Sequence, residues 1–466
     1  MSRIAPVWLV VVLLACPAWA QVPAAPAPAP APPPQVGTPH THDQALATAL
    51  CSNPSLQAAQ EGVRISQDLL SGARATKGPS FDLGVTYTRV SRVASLTTFL
   101  PDPDTGDFTL QTIELGKEEN TNAVGILSMP VFTSGALSAG IRAAREGVIA
   151  SRQSLTRNQQ QVTYGVRQTY YGVLTALDAV AVAQQALAAA EEQLRVARAF
   201  LAAGTAPQFD VLRAEARVAQ ARQGLTAVQN GEQTARAALN NILGVPQEMA
   251  FNLVTPLRRE PSAQNLEQLQ QAALQARPDL LQAQANQRAL RETIVIARAV
   301  RRPSLGVSWS LSHPVTTTTF AVGGWTLALA LQQNLFDSGR ARAQVREARD
   351  RLAQVRALTE QLRQNVTFEV KEAYLNANTA QQQIASAAAE LVAANEALRI
   401  AQVRYQAGVS TPVEVIDAQV ARESAANSYN GALYNYNLAL AQLDLALGAA
   451  VVPTAQPIVC PPRKES

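Results

Sequence analysis

Aromatic residues make up only 5% of this 466-residue chain and charged residues 16%. So little of either argues against a set of ordinary globular domains. The abundance of alanine, glutamine and arginine instead suits long helices packed at narrow seams. Three histidines are present, His40, His42 and His313, with no metal-ligand spacing among them. The His40-x-His42 pair adjoins a flexible tract and is expected to be solvated. No glycine-rich loop followed by lysine is available to cradle a phosphate, and no nucleophile–base constellation stands out. The chain is therefore expected to be no enzyme and to need no cofactor. Its formal charge is only +4 and its basic residues are scattered, which argues against a nucleic-acid partner. Arginines such as Arg142, Arg346 and Arg356 read as solvated helix faces. Beyond the first residues no run of some twenty apolar residues occurs, so no transmembrane helix is expected in the mature chain.

The N-terminus reads as an export signal over residues 1–20: Arg3, an apolar core from Val7 to Ala15, and the small-x-small site Ala18-Trp19-Ala20. Leu13-Leu14-Ala15-Cys16 offers an alternative, a lipoprotein signal in which Cys16 becomes the lipidated first residue. Residues 21–42 form a proline- and alanine-rich tether, extended and solvated. Cys51 and Cys460 lie near the two ends of the folded region. In an exported protein they can form a disulfide or remain as thiols, and sequence does not test the geometry.

Between these ends one unit is written twice. Phe132-Thr133-Ser134-Gly135 returns 204 residues later as Phe336-Asp337-Ser338-Gly339, and Leu243-Gly244 as Leu447-Gly448. Upstream the offset is 224, matching Pro54 to Pro278 and Pro79-Ser80 to Pro303-Ser304, so the first copy carries 20 extra residues between Pro79 and Phe132. A constant offset over such a length marks a duplicated structural unit. The first repeat spans residues 43–248 and the second 265–450, with a connector over 249–264 and a tail over 451–466.

Each repeat reads as helix, strand, loop, strand, very long helix, tight turn, helix. The opening helices run from about Asp43 to Lys77 and from about Asn265 to Arg301, each stopping ahead of a proline. β-Hairpins follow over residues 80–131 and 304–335. Phe81, Leu83, Val85 and Tyr87 alternate with polar or small residues, as do Leu305, Val307, Trp309 and Leu311, and then Trp325, Leu327, Leu329 and Leu331. This pattern fits strands of a membrane barrel; a half-buried strand of a soluble sheet shows it too. The 20 extra residues fall in the first hairpin loop, Ser91 to Glu119.

Proline is then absent from Val131 to Ala206 and from Asp337 to Thr411. Val180, Leu187, Leu194 and Leu201 keep a heptad, as do Ile384, Leu391, Leu398 and Tyr405, with alanines such as Ala190 and Ala197 beside them. A helix from Ser134 to Ala202 spans about 100 Å. One copy of such a rod has little core to bury, so oligomerisation is implied. The rods end near Gly204 and Gly408, where glycine suits a left-handed stop and Pro207 and Pro412 suit the next helix start. Thr411-Pro412-Val413-Glu414 reads as a capping box.

The tandem helix–hairpin–helix copies, the proline at each strand entry, the Phe-x-Ser-Gly segments and the tip Tyr405-Gln406-Ala407-Gly408-Val409-Ser410-Thr411-Pro412-Val413-Glu414-Val415-Ile416-Asp417-Ala418 resemble the TolC family of outer-membrane efflux factors, over nearly everything from Asp43 to Gly448. The resemblance implies a mainly α fold with a β membrane barrel. It implies a homotrimer whose twelve-stranded outer-membrane barrel, set in outer-membrane lipid, continues as a twelve-helix periplasmic α-barrel, built from two tandem repeats per chain. It implies the passive exit duct of a tripartite pump for drugs or other small molecules, partnered by a periplasmic membrane-fusion adaptor and an inner-membrane pump. The outlet of a type I protein-secretion or metal-export system is the near alternative; a periplasmic coiled-coil adaptor or rod is the distant one.

The family's adaptor-contacting tips carry over to Gly204, Thr205 and Ala206, and to Gly408, Val409 and Ser410, which are also simply good turn residues. Its aperture residues carry over to Glu414 and Asp417, with Tyr405 and Asp210 in the closing network. In a trimer six carboxylates would crowd one opening and raise some of their pKa values; alternatively Glu414 only caps its helix and Asp417 is solvated. A basic partner found in some family members is Ser410 here, which removes that ion pair.

Overall fold

The computed structural model describes residues 39–101, 106–114, 117–254, 265–314 and 323–449. The export signal, Cys16, most of the tether, the 451–466 tail and Cys460 lie outside the described residues.

The first half runs β1 (Pro39–His40), α1 (His42–Ser52), α2 (Pro54–Ala75), β2 (Ser80–Arg89), β3 (Ser95–Pro101), β4 (Phe108–Glu114), β5 (Glu119–Phe132), α3 (Ala136–Ala202), α4 (Gln208–Leu243) and β6 (Asn252–Leu253). The second runs α5 (Leu266–Ala276), α6 (Pro278–Ala299), β7 (Ser304–Pro314), β8 (Gly324–Gln332), α7 (Arg340–Gln406) and α8 (Pro412–Leu447). Matched helices have equal lengths. α1 and α5 have 11 residues, α2 and α6 22, α3 and α7 67, α4 and α8 36.

Three details depart from the sequence reading. The opening helix of each half is two helices, because Asn53 and Arg277 precede Pro54 and Pro278. Both adopt extended backbone, φ −64°, ψ 122° and φ −65°, ψ 124°, since the proline ring disfavours helix in the residue before it. The first hairpin loop is not irregular: its added residues form a second antiparallel hairpin, β3 with β4. Finally, the stretch between the repeats contributes β6, which pairs in parallel with β1 and so brings the end of the tether into the fold.

The helix breaks bring the halves together in matching ways. Asn53 Oδ1 accepts from the backbone of Ser55 at 2.9 Å and of Leu56 at 3.3 Å, capping α2, while its Nδ2 donates to the Ile242 carbonyl at 2.8 Å. In the second half Arg277 takes the place of Asn53 and donates to the carbonyl of Ala446, the residue matched to Ile242, at 3.4 Å. Arg277 is 1% exposed and is paired with Asp279 at 2.5 Å and with Glu369. Burying a charge is tolerated only with such partners. At the same joints α4 meets α2, and α8 meets α6, end to end. Gly244 at the end of α4 lies against Ser52 and Asn53, and Gly448 at the end of α8 against Arg277.

The helices therefore form one layer, ordered α2/α4, α3, α6/α8, α7. Alanine lets the axes approach: Ala190 and Ala197 are 1% exposed, whereas the neighbouring heptad leucines are only half-buried. By composition α3 is long and apolar enough to cross a membrane, with mean hydropathy 1.5 in its most apolar window; of its alanines only Ala139, Ala150, Ala190 and Ala197 are buried. Ion pairs join α3 to α6 (Arg142–Glu292 and Arg288–Glu146, both 2.7 Å) and α4 to α8 (Arg217–Glu423, 2.8 Å). Arg142 is thus a paired residue and not a free solvated one. α1 packs on α3 and α4, and α5 on α7 and α8. α1 packs through Ala45 and Ala49 against Val166, Tyr170 and Leu239. α5 packs through Ala273 against Val366 and Val370. His42 sits against Tyr170 and Tyr171, with ring centroids 5.7 and 6.1 Å away, rather than in solvent as the sequence suggested.

At one end of this layer stands an antiparallel sheet ordered β2-β5-β7-β8. Its register places Phe81, Leu127, Trp309 and Leu327 in one row and Leu83, Gly125, Leu311 and Trp325 in the next. The opposite face carries Ser80, Ser128, Ser308 and Ala328 in its matching row. Among the described residues no second sheet or helix covers the apolar face: Phe81, Leu83, Leu327 and Leu331 are 62%, 72%, 63% and 71% exposed.

Gly244 and Gly204 both have positive φ, +70° and +72°, but a Cβ on Gly244 would lie 2.6 Å from the Ser52 carbonyl oxygen while Gly204 faces open space. Gly204→Ala is expected to cost about 1 kcal/mol from backbone conformation alone. Gly244→Ala should cost at least about 3 kcal/mol, because its backbone neighbours cannot yield. Equal shifts in thermal unfolding for the two variants would contradict this account of the joint.

Candidate functional site

The residues singled out in the sequence converge at the far end of the layer, where both hairpins turn. Each turn follows the same chemistry. α3 ends with Thr205 N–H donating to the Phe200 carbonyl and Gly204 N–H to Leu201, both at 2.9 Å; α7 ends with Val409 N–H donating to Arg404 and Gly408 N–H to Tyr405, both at 3.0 Å. Gly204 and Gly408 hold φ of +72° and +75°, the left-handed stop for which glycine is suited. Gly204, Thr205, Gly408 and Val409 are exposed, with Ala206 and Ser410 half-buried behind them. Val409, 66% exposed, is a large apolar side chain at the outermost point.

Behind the turns the two hairpins lock through one aromatic residue. Tyr405, on α7, is 6% exposed and meets Phe200 of α3 edge to face, with ring centroids 5.6 Å apart. Ala401, Val415, Val196 and Ala418 complete the cluster. Burial pushes the Tyr405 phenol above its ordinary value, the Asp210 carboxylate adds to this, and Gln193 opposes it. Tyr405 Oη and Gln193 Nε2 are both buried without a hydrogen bond of good geometry, so their contact is loose. Asp210, in the first turn of α4, thus faces Tyr405 across the repeat boundary. Phe200 and Gln193 were not evident in the sequence, since neither belongs to a local motif.

Glu414 lies in the first turn of α8. The expected capping box is only half made: the Thr411 side chain makes no capping bond, while the Glu414 carboxylate accepts from the Thr411 backbone. Ser410, the Arg404 guanidinium 3.4 Å away and that backbone contact hold the Glu414 carboxyl below the usual carboxylate range. Within the chain, then, the shift is opposite in sign to the one expected from a crowd of carboxylates. Arg404, ten residues before Glu414 and across the turn, is its cationic partner. Asp417, one helical turn beyond, is exposed. Asp210 and Glu414 occupy matched positions, as do Phe200 and Arg404. Only the second tip therefore has a cation, Arg404, at the position from which it can pair with the carboxylate.

Cys51, in α1, is disulfide-bonded; Cys460 and Cys16 lie outside the described residues. Among the described residues no group of three or more histidines, cysteines and carboxylates is placed to hold a metal ion.

An apolar sheet left bare among the described residues and carried on 67-residue rods that end in tight turns fits an outer-membrane channel subunit. The chain matches the model of the outer membrane efflux protein family over residues 45–245 and 269–449, and it belongs to that family. Its place is accordingly the outer membrane. It is 31% identical over 144 residues to the outer membrane efflux protein BepC of Brucella suis, covering 30% of this chain and 31% of that one. It is 30% identical over 223 residues to the outer membrane protein OprJ of Pseudomonas aeruginosa, covering 47% of each. The matched segment thus spans about a third to a half of the length of these relatives. Among solved structures, the chain superposes on CusC with a TM-score of 0.72 at 19% identity, covering 88% of this chain and 92% of that one. It superposes on the open state of the MtrE outer membrane channel of Neisseria gonorrhoeae with a TM-score of 0.69 at 20% identity, covering 89% and 91%. The fold is that of TolC-family channels.

Because the Glu414 carboxyl is depressed, its contact with Arg404 is complete at neutral pH and is lost only as pH falls through and below the ordinary carboxylate range, about pH 4. Fluorescent labels at Ala206→Cys and Val409→Cys should report an unchanged tip separation from about pH 8 to 5 and a change below about pH 4. In a Glu414→Gln background that acid step should vanish; its persistence would remove Glu414 from the account.

Proposed function

We propose that the protein is the passive exit duct of a tripartite efflux pump, a homotrimer that carries drugs or other small molecules across the periplasm and outer membrane. The observation that carries this reading is the four-stranded sheet, whose apolar face is bare and whose edge strands, β2 and β8, each lack an outer partner. In a bilayer an open strand edge is not tolerated, and four strands are too few to close a barrel. Two copies would give eight strands, whose interior side chains fill; three would give twelve, wide enough for a polar passage lined by the Ser80–Ser128–Ser308 face. The same argument extends to the helices. The α2/α4 flank of the layer exposes Ile65, Leu69, Phe209 and Leu212, and the α7 flank exposes Leu358, Phe368, Leu375 and Val392. Joining one flank to the other around a threefold axis would bury both and make a twelve-helix tunnel.

In this reading Gly204, Thr205, Ala206, Gly408, Val409 and Ser410 meet the helical hairpins of the periplasmic adaptor, which couples the duct to an inner-membrane pump. Tyr405 and Asp210 hold the tips together, and Glu414 and Asp417 line the aperture and favour cations. The distant alternative of a soluble rod has no use for the bare apolar sheet. The 451–466 tail and its Cys460 complete the proposed disulfide to Cys51.

The full chain, purified in detergent, is expected to migrate as a heat-modifiable trimer and to conduct ions in planar bilayers. Tyr405→Ala removes a buried aromatic and should cost the closed tip roughly 3 kcal/mol, raising single-channel conductance. A detergent-independent monomer that leaves bilayers silent would overturn the duct; a silent effect of Tyr405→Ala would remove that residue from the gate.

A further inference from the structure

Six arginines line one groove between the end of α6 and the start of α7: Arg298, Arg301, Arg302, Arg342, Arg346 and Arg349. The cavity they enclose measures ≈ 610 Å³ and no carboxylate lines it. Among the described residues none of the six forms an ion pair within 4 Å, though Arg301 lies near enough to Asp337 to help hold its carboxyl down; Arg142, Arg288 and Arg351 on the same helices or their neighbours all hold glutamates. Asp337, close to Arg301, is already engaged, accepting from the backbone of Gly339 at 3.0 Å and of Ala341 at 2.9 Å. Arg342, Arg346 and Arg349 follow the i, i+4, i+7 spacing that stacks side chains on one helix face. The groove is also confined to one repeat. The matched positions in the first half are Arg74, Lys77, Gly78, Ser138, Arg142 and Arg145, and Arg142 there is neutralised by Glu292.

Its level and its side are both given by the fold. Arg301 and Arg302 stand directly before the strand that starts at Ser304, and Arg349 lies nine residues into α7, about 14 Å along the helix at roughly 1.5 Å per residue. The groove thus begins where the bare apolar sheet ends and runs through a layer as deep as lipid headgroups. Arginine stems are long enough for the farther members to reach back to it. Arg346 shares its heptad position with Thr367 and Tyr374, three and four heptads on. Thr367 accepts from Gln270 of α5 at 3.2 Å, and Tyr374 packs with the α5 cluster. The groove therefore opens on the side of α7 that carries α5.

We propose that this groove binds the phosphate of anionic phospholipids in the periplasmic leaflet of the outer membrane, one site per subunit. The site rests on the reading that the helices lie on the periplasmic side of the sheet. Unpaired guanidiniums grouped at a membrane surface are suited to phosphate through forked hydrogen bonds, and each adds attraction to an anionic surface.

The test uses the full chain purified in detergent and stripped of lipid, with bound lipid counted by native mass spectrometry. Phosphatidylglycerol is expected to be retained over phosphatidylethanolamine, and retention should fall at least about tenfold in Arg342→Gln/Arg346→Gln/Arg349→Gln. Arg356→Gln, on the same helix beyond the groove, should leave retention unchanged. The single variant Arg346→Gln serves where the triple variant fails to assemble, with a smaller loss expected. Equal retention of the two lipids, or equal phosphatidylglycerol binding by wild type and variants, would overturn the proposal. So would full displacement of the lipid by millimolar inorganic phosphate, which would make this a free-anion site. Conductance of the same variants is recorded in parallel. The duct stands or falls on conductance and the lipid site on retention, so the two failures are distinct.

Discussion

Backbone hydrogen bonding is the constraint from which the architecture follows. Each strand in lipid must satisfy its amides and carbonyls on both sides, because no water is there to do so. Within one chain β5 and β7 meet that requirement, and β2 and β8 meet it on one side each. In the proposed duct such a subunit would be an arc, completed when its edges find other edges. The helix layer repeats the situation with different chemistry: its two flanks expose large apolar side chains, and their burial is a hydrophobic rather than a hydrogen-bonding requirement. In the proposed trimer, sheet and helices would call for the same ring by independent forces.

Duplication supplies the parts of that ring, and departures from it mark where the halves acquire separate roles. The joints at Asn53 and Arg277 do the same job with a neutral amide and a buried guanidinium. The second needs Asp279 and Glu369 as counter-charges, while the first needs none. At the tips the matched residues diverge further. Leu201 corresponds to Tyr405, and Phe200 to Arg404, so the aromatic contact that closes the tips is made between the repeats instead of within each one. A perfect repeat would have left each hairpin self-sufficient and the two independent.

Much of this was legible in the sequence because it rests on period and punctuation. The heptads, the proline-free runs and the Gly204 and Gly408 stops located the rods and turns to within a few residues. Alternation in Phe81 to Tyr87 and Leu305 to Leu311 located the strands. The breaks at Pro54 and Pro278 were written just as plainly, by the same proline rule that ended the helices near Lys77 and Arg301, but a continuous helical pattern on both sides hid them. The β3–β4 hairpin was hidden because Pro101-Asp102-Pro103-Asp104 reads as loop, and the strands on either side, Ser95–Pro101 and Phe108–Glu114, are short. The Arg404–Glu414 pair and the Phe200–Tyr405 contact were out of reach for a different reason. Both depend on how a chain folds back across a turn or onto the other repeat, and neither has a fixed spacing to search for.

The matched rods, 67 residues in each half, carry a consequence for how such a molecule can change over time. Both rods start from one sheet and must end at one level, or Tyr405 loses Phe200. Lengthening either alone would lift one tip above the other, and any change other than whole heptads would also rotate the alanine seam out of contact. Reach across the compartment is thus quantised, and it can drift only when both halves of the gene are altered in step.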